Sequence, residues 1–154
     1  MLEYTIEEMP EQPYLYLKID SDYSHLALNV ATGFATIAQF LLDRGIRPTG
    51  KPMTLMINPP RDQFRMRIGY WVSRDDLDAA EGQIYAGVMP ATRSICHQFD
   101  SFYSEIPSVY TGMVEYCRKH GLRRGREVWQ FYHSHPHGVP QERLKADCHH
   151  ALLS

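Results

Sequence analysis

Cysteine is scarce in this sequence and odd in number: Cys96, Cys117 and Cys148 stand far apart, and no CxxC pair occurs. A zinc ribbon or dithiol redox centre is therefore not encoded, and the thiols fit a reducing compartment as small buried apolar residues. A cationic excess is missing too. Lys and Arg number 16 against 18 Asp and Glu, for a formal net charge of −2, which argues against a chain-wide nucleic-acid-binding face. The opening, Met1-Leu2-Glu3-Tyr4-Thr5-Ile6-Glu7-Glu8, is acidic and lacks the positive-then-apolar order of a signal peptide. The longest nearly uncharged stretch, Tyr23 to Leu42, is broken by Ser24, His25, Asn29, Thr32 and Gln39. It reads as an amphipathic helix and its approach rather than a membrane span, so the expected location is cytoplasmic. No Gly-x-Ser-x-Gly elbow, HExxH, Walker loop or GxGxxG is present. No catalytic residue and no cofactor is assigned on this basis.

What the sequence does contain is one pattern written twice. Its 44% apolar and 22% charged residues are ordinary for a folded domain of 154 residues. Phe34-Ala-Thr-Ile-Ala-Gln-Phe-Leu-Leu-Asp-Arg-Gly45-Ile46 matches Tyr110-Thr-Gly-Met-Val-Glu-Tyr-Cys-Arg-Lys-His-Gly121-Leu122. Phe34/Tyr110, Ile37/Met113, Ala38/Val114 and Phe40/Tyr116 recur at the spacing of one helical face. Gly45 and Gly121 fall where a left-handed C-terminal cap is expected, and Arg44, Arg118, Lys119 and His120 sit where cations oppose the helix dipole. Extended segments precede each helix, Tyr14 to Ile19 and Arg93 to Phe99. Two more follow each: Met53 to Asn58 and Phe64 to Val72, then Glu127 to Tyr132 and Leu144 to Leu152, joined by proline-containing turns. The predicted fold class is α+β, a tandem duplication of a β-α-β-β unit with two antiparallel sheets flanking a ligand groove. Repeat 1 covers about residues 1–72, the connector about 73–83 and repeat 2 about 84–154 of a single domain.

The passage Ile84 to Phe99, with its Met89-Pro90, leads into Ser101-Phe102-Tyr103-Ser104-Glu105-Ile106-Pro107 and resembles the strand and pre-helix passage of GyrI-like domains. The same family supplies the effector-binding halves of AraC-type and MerR-type multidrug regulators. Glu7-Glu8-Met9-Pro10-Glu11-Gln12-Pro13-Tyr14 is similar to the family's opening, and Trp129-Gln130-Phe131-Tyr132 with His135-Pro136 and Pro140 to its late strand and hairpin. The resemblance spans essentially the whole chain. It implies two SHS2-type units with a groove between their sheets that takes up bulky, flat, often cationic molecules, stacked on aromatics and countered by a buried glutamate.

The chain holds 10 Tyr, 6 Phe and 2 Trp, and aromatic faces attract cations. Tyr16, Trp71, Trp129 and Tyr132 are the expected groove aromatics. If Trp129 and Phe131 pack under the helices, strand alternation turns Gln130 and Tyr132 to the groove. Gln130 then stands where the resemblance places a glutamate, an amide in place of a countercharge. Glu105 and Glu115 are the other acidic candidates, Glu105 near a helix start and Glu115 on a solvated helix face. His133-x-His135-x-His137 has the alternation of a strand-borne metal site but runs into Pro136, Gly138 and Pro140, and no carboxylate or thiol completes it nearby. No metal is assigned.

These features predict a stand-alone binding module for bulky aromatic, including cationic, small molecules, acting by sequestration or as a sensor for a separate protein. No helix-turn-helix is expected ahead of the first strand, so no direct nucleic-acid or membrane partner is predicted. A protein partner is compatible with either a monomer or a homodimer. Two other classes fit the same groove: a hydrolase of reactive xenobiotics, and a modulator of a DNA-handling enzyme such as gyrase.

Overall fold

The computed structural model describes residues 2–57, 62–133 and 143–153. The Pro59-Pro60-Arg61 turn and the longer turn carrying His135, His137 and Pro140 lie outside them. In chain order the elements are β1 (Thr5–Met9), β2 (Gln12–Asp22), α1 (Leu26–Asp43), β3 (Pro52–Ile57), β4 (Gln63–Trp71), β5 (Tyr85–Met89), β6 (Thr92–Phe102), α2 (Ile106–His120), β7 (Arg123–Tyr132) and β8 (Arg143–Leu153).

Both helices end as their sequences predict. Gly45 and Gly121 adopt φ of 66° and 67°. Ile46 N–H donates to Leu41 C=O at 2.9 Å and Leu122 N–H to Cys117 C=O at 2.9 Å, the long bond of a Schellman closure. Phe34, Ile37, Tyr110 and Met113 are buried, whereas Val114, expected on the same face, is exposed. The Tyr23–Asp43 segment is long and apolar enough by composition to cross a membrane. In this fold α1 spends its apolar stripe, Leu26, Val30, Phe34, Ile37 and Leu41, on the sheet.

The eight strands of the described residues join one antiparallel sheet, in the order β1-β6-β8-β7-β3-β4-β2-β5. The sheets expected for the two units thus run into one another, through β3 and β7, with Thr54 opposite Gln130 and Leu55 opposite Trp129. The order is symmetric about that seam: exchanging β1–β4 with β5–β8 leaves it unchanged. The strands that lead each half are traded. β1 pairs with β6 and β5 pairs with β2.

That trade forces the sheet to roll. β5 and β6 hold the eighth and second places, which in a flat sheet would be roughly 29 Å apart at the usual strand spacing. Yet only Pro90 and Ala91 separate Met89 from Thr92, and three Cα steps reach about 11 Å at most. Pro10 and Glu11 impose the same limit between β1 and β2. The two ends must therefore curl toward each other. Both helices pack on one face of the rolled sheet, over a core that includes Leu15, Ile68, Tyr70, Ile95, Val128 and Cys148. The other face carries its own buried cluster: Tyr14, Tyr16, Met53, Leu55, Met89, Trp129, Phe131 and Ala151, with Trp71 packed against it. These residues are buried without a helix above them because the sheet curls over them.

Candidate ligand-binding site

The phase of β7 decides what lines the roll. Val128, Gln130 and Tyr132 turn to the helices, and Glu127, Trp129 and Phe131 turn inward, opposite to the expected alternation. Gln130 Nε2 donates to the Tyr110 hydroxyl of α2 at 3.2 Å, and Tyr132 donates to Gln130 Oε1 at 3.2 Å. The Tyr132 ring meets Phe34 of α1 edge-on at 5.1 Å. Burial drives the hydroxyl pKa of both Tyr110 and Tyr132 well above the usual value, so they remain neutral donors. Gln130 and Tyr132 are thus part of the seam beneath the helices, not of the inner face. Glu105 is exposed just before α2 and also lies outside it; its carbonyl accepts from Ser108 Oγ at 2.7 Å. Glu115 pairs with Arg118 on the exposed face of α2.

Tyr16, Trp71 and Trp129 do reach the inner face. There Tyr14 stacks on Tyr16 at 5.0 Å and Tyr16 on Tyr85 at 5.6 Å. Trp71 meets Phe131 edge-on at 4.9 Å across the intervening β3. Arg67 lies over the Tyr16 ring at 4.6 Å and donates to the Tyr14 hydroxyl at 2.7 Å. Gly69 stands directly opposite Tyr16. A Cβ there would lie 2.0 Å from the Leu15 carbonyl oxygen, so only glycine permits this approach of β4 to β2.

A cavity of about 180 Å³ opens in this face, bounded by Tyr14, Leu55, Arg67, Met89, Glu127 and Trp129 among others. Its walls are apolar and aromatic, with a guanidinium on β4 and a carboxylate on β7, separated by β3. The indole nitrogens of Trp71 and Trp129 are buried with no hydrogen-bond partner among the described residues. A buried N–H without an acceptor costs free energy, and a ligand or water can recover it. A larger depression of about 570 Å³ lies at the start of α1, by Asp20, Asp22, His25, Asn29 and Arg65. Most of its polar groups are already paired with one another. Arg65 bonds Asp20, Asn29 bonds Ser21, and bonds from Ser24 and His25 hold the Asp22 carboxyl down at about 2.

Sequence reasoning missed Tyr14, Arg67 and Glu127. Tyr14 and Glu127 sit two residues from Tyr16 and Trp129, and Arg67 four residues from Trp71, each on the same face of its strand. Taking Trp129 as inward-facing would have delivered Glu127 at once.

A family model described as the GyrI-like small molecule binding domain matches residues 2–148. No curated protein matches the sequence. The C-terminal domain of EcmrR superposes with a TM-score of 0.79 at 14% identity, covering 100% of this chain and 99% of that one. EcmrR in its complex with DNA gives 0.77 at 12% identity, covering 97% of this chain and 57% of the EcmrR chain. SAV2435 bound to tetraphenylphosphonium gives 0.64 at 8% identity, with 99% and 95% covered. At these identities the likeness is one of fold.

Proposed function

The chain belongs to the GyrI-like family of small-molecule binding domains, and from that premise we propose that it takes up bulky aromatic cations in the rolled inner face of its sheet. The observation that carries this reading is the lining of that cavity, which joins a buried indole to a carboxylate, Trp129 to Glu127. Tyr14 and Trp129 offer apolar and ring surface, and burying and stacking a ligand there supplies most of the affinity. Glu127 supplies the countercharge that the sequence alone appeared to lack at Gln130. Because Arg67 occupies the opposite wall, the ligand's positive end is oriented toward β7. The protein acts by sequestering such molecules or as the sensing half of a partnership with a separate protein. SAV2435, of similar fold, binds tetraphenylphosphonium, which supports that choice of probe.

Both tryptophans of the chain face the roll, so intrinsic fluorescence reports on occupancy. Tetraphenylphosphonium is expected to quench it saturably, and neutral triphenylphosphine oxide to bind more weakly. Glu127→Gln should weaken the cation by about five- to hundred-fold, roughly 1–3 kcal/mol for a partly desolvated charge, and leave the neutral compound unchanged. Equal loss for both compounds would remove the countercharge role. An unsaturable signal with every probe would remove the groove itself.

A further inference from the structure

Beyond the aromatic cavity, three side chains of different chemistry converge on the same inner face from three neighbouring strands. β1, β6 and β8 lie side by side, with Thr5 opposite Cys96, Glu7 opposite Ser94 and Cys96 opposite His149. A carboxylate oxygen of Glu7, Cys96 Sγ and a ring nitrogen of His149 all lie within 4.8 Å of one another. We propose that Glu7, Cys96 and His149 form a site for a divalent cation of zinc type, independent of the ligand reading above.

The geometry fits the ion. Cys96 Sγ and His149 Nε2 are 3.7 Å apart. Two ligands at zinc–sulfur and zinc–nitrogen distances, spread at the tetrahedral angle, stand roughly 3.6 Å apart. The other ring nitrogen, Nδ1, is 2.9 Å from Ser94 Oγ. With Ser94 accepting from Nδ1–H, the lone pair of Nε2 points toward the sulfur and the carboxylate, the second-sphere arrangement that orients metal-bound imidazoles. The ring is held in that plane by Trp129, stacked on it at 5.2 Å and 4°. Burial lowers the His149 pKa to about 4, so the imidazole is neutral and able to ligate at pH 7. Burial and the nearby Glu7 and Asp147 carboxylates hold the Cys96 thiol protonated, with its pKa pushed up to about 12. The cation must therefore displace that proton: the S–H bond breaks, a sulfur–metal bond forms, and one proton goes to solvent. Thiolate, imidazole and carboxylate together suit zinc and leave its fourth position to water or a small molecule.

Cobalt(II) added to the reduced full-length chain tests this site. One equivalent should give the visible absorption of tetrahedral cobalt and a near-ultraviolet thiolate-to-cobalt charge-transfer band, both erased by zinc. Cys96→Ser should abolish the charge-transfer band, while the Cys117→Ala/Cys148→Ala protein keeps it. Glu7 lies on an exposed edge strand, so Glu7→Gln keeps the fold and should weaken cobalt about ten- to hundred-fold, which preserves the test if Cys96→Ser fails to fold. Cobalt held by histidines elsewhere would lack the band. No band in the wild type, a band surviving Cys96→Ser, or cobalt affinity unchanged by Glu7→Gln would each overturn the proposal.

Discussion

The two faces of the sheet are both buried, but they are finished to different degrees. Under the helices every prominent polar group has a partner: Gln130 is bonded by Tyr110 and Tyr132, and the apolar side chains close around them. Inside the roll two indole N–H groups have no acceptor among the described residues, a cavity remains, and a guanidinium and a carboxylate border it. A face optimised only for stability would fill the space and pair the donors. The comparison teaches that α1, α2 and their face hold the fold, and that the inner face keeps unmet bonding capacity.

The sharpest way to break that division is to damage one residue on each side. Phe34 is fully buried and contacts Tyr70 and Tyr132 edge-on. Phe34→Ala should cost about 3–5 kcal/mol, read as a lower midpoint in urea. Trp71→Phe removes an N–H that has no partner among the described residues and keeps most of the ring. It should cost less than about 1 kcal/mol. Similar losses would mean that the inner face is simply a second core.

A smaller effect should come from pH. Burial depresses His149 to about 4, against an ordinary value of 6.5. The unfolded chain therefore binds a proton near pH 6.5 that the folded chain takes up only near pH 4, so stability falls as the pH drops through that window. The loss is on the order of 3 kcal/mol for the metal-free protein. His150 is shifted down for the same reason, by burial. Asp22 acts lower, its stabilising contribution disappearing between pH 3.8 and about 2. Urea titrations at pH 7 and pH 4.5 should show the decline, and His149→Gln should flatten it. An unchanged slope in that variant would shift the effect to His150.

Much of this division was legible in the sequence, and the part that was not has a physical cause. The helices and their ends were readable because a repeating apolar face and a glycine in the left-handed region are local properties. Gly45 and Gly121 take that left-handed conformation. The phase of β7 was not readable, because Val128 through Tyr132 are buried on both faces and alternation of polarity carries no sign there. The roll follows from exchanging β1 and β5 between the halves, a long-range pairing that no window of sequence contains. For the same reason Glu7, Cys96 and His149 formed no motif: each lies on a different strand, and only the sheet order brings them together.

The smallest and most discriminating test returns to Gln130, the residue that the sequence placed in the groove and the fold places under α2. It is 3% exposed, and its amide nitrogen donates to Tyr110. In Gln130→Glu that donor is lost, but both tyrosine hydroxyls can donate to the new carboxyl oxygens, so the network is rearranged rather than orphaned. A carboxylate in this position is still poorly solvated and should be protonated well above its ordinary range. The expected cost is about 1–3 kcal/mol at pH 7, shrinking as the pH is lowered and the group becomes neutral. That sign is opposite to the His149 effect, so the two are separable in one pH series. Affinity for tetraphenylphosphonium should be the same as in the wild type, because the sheet stands between residue 130 and the cavity. A five-fold or greater gain in affinity would mean that cations bind on the helix side of β7, and that the inner face has been assigned the wrong role.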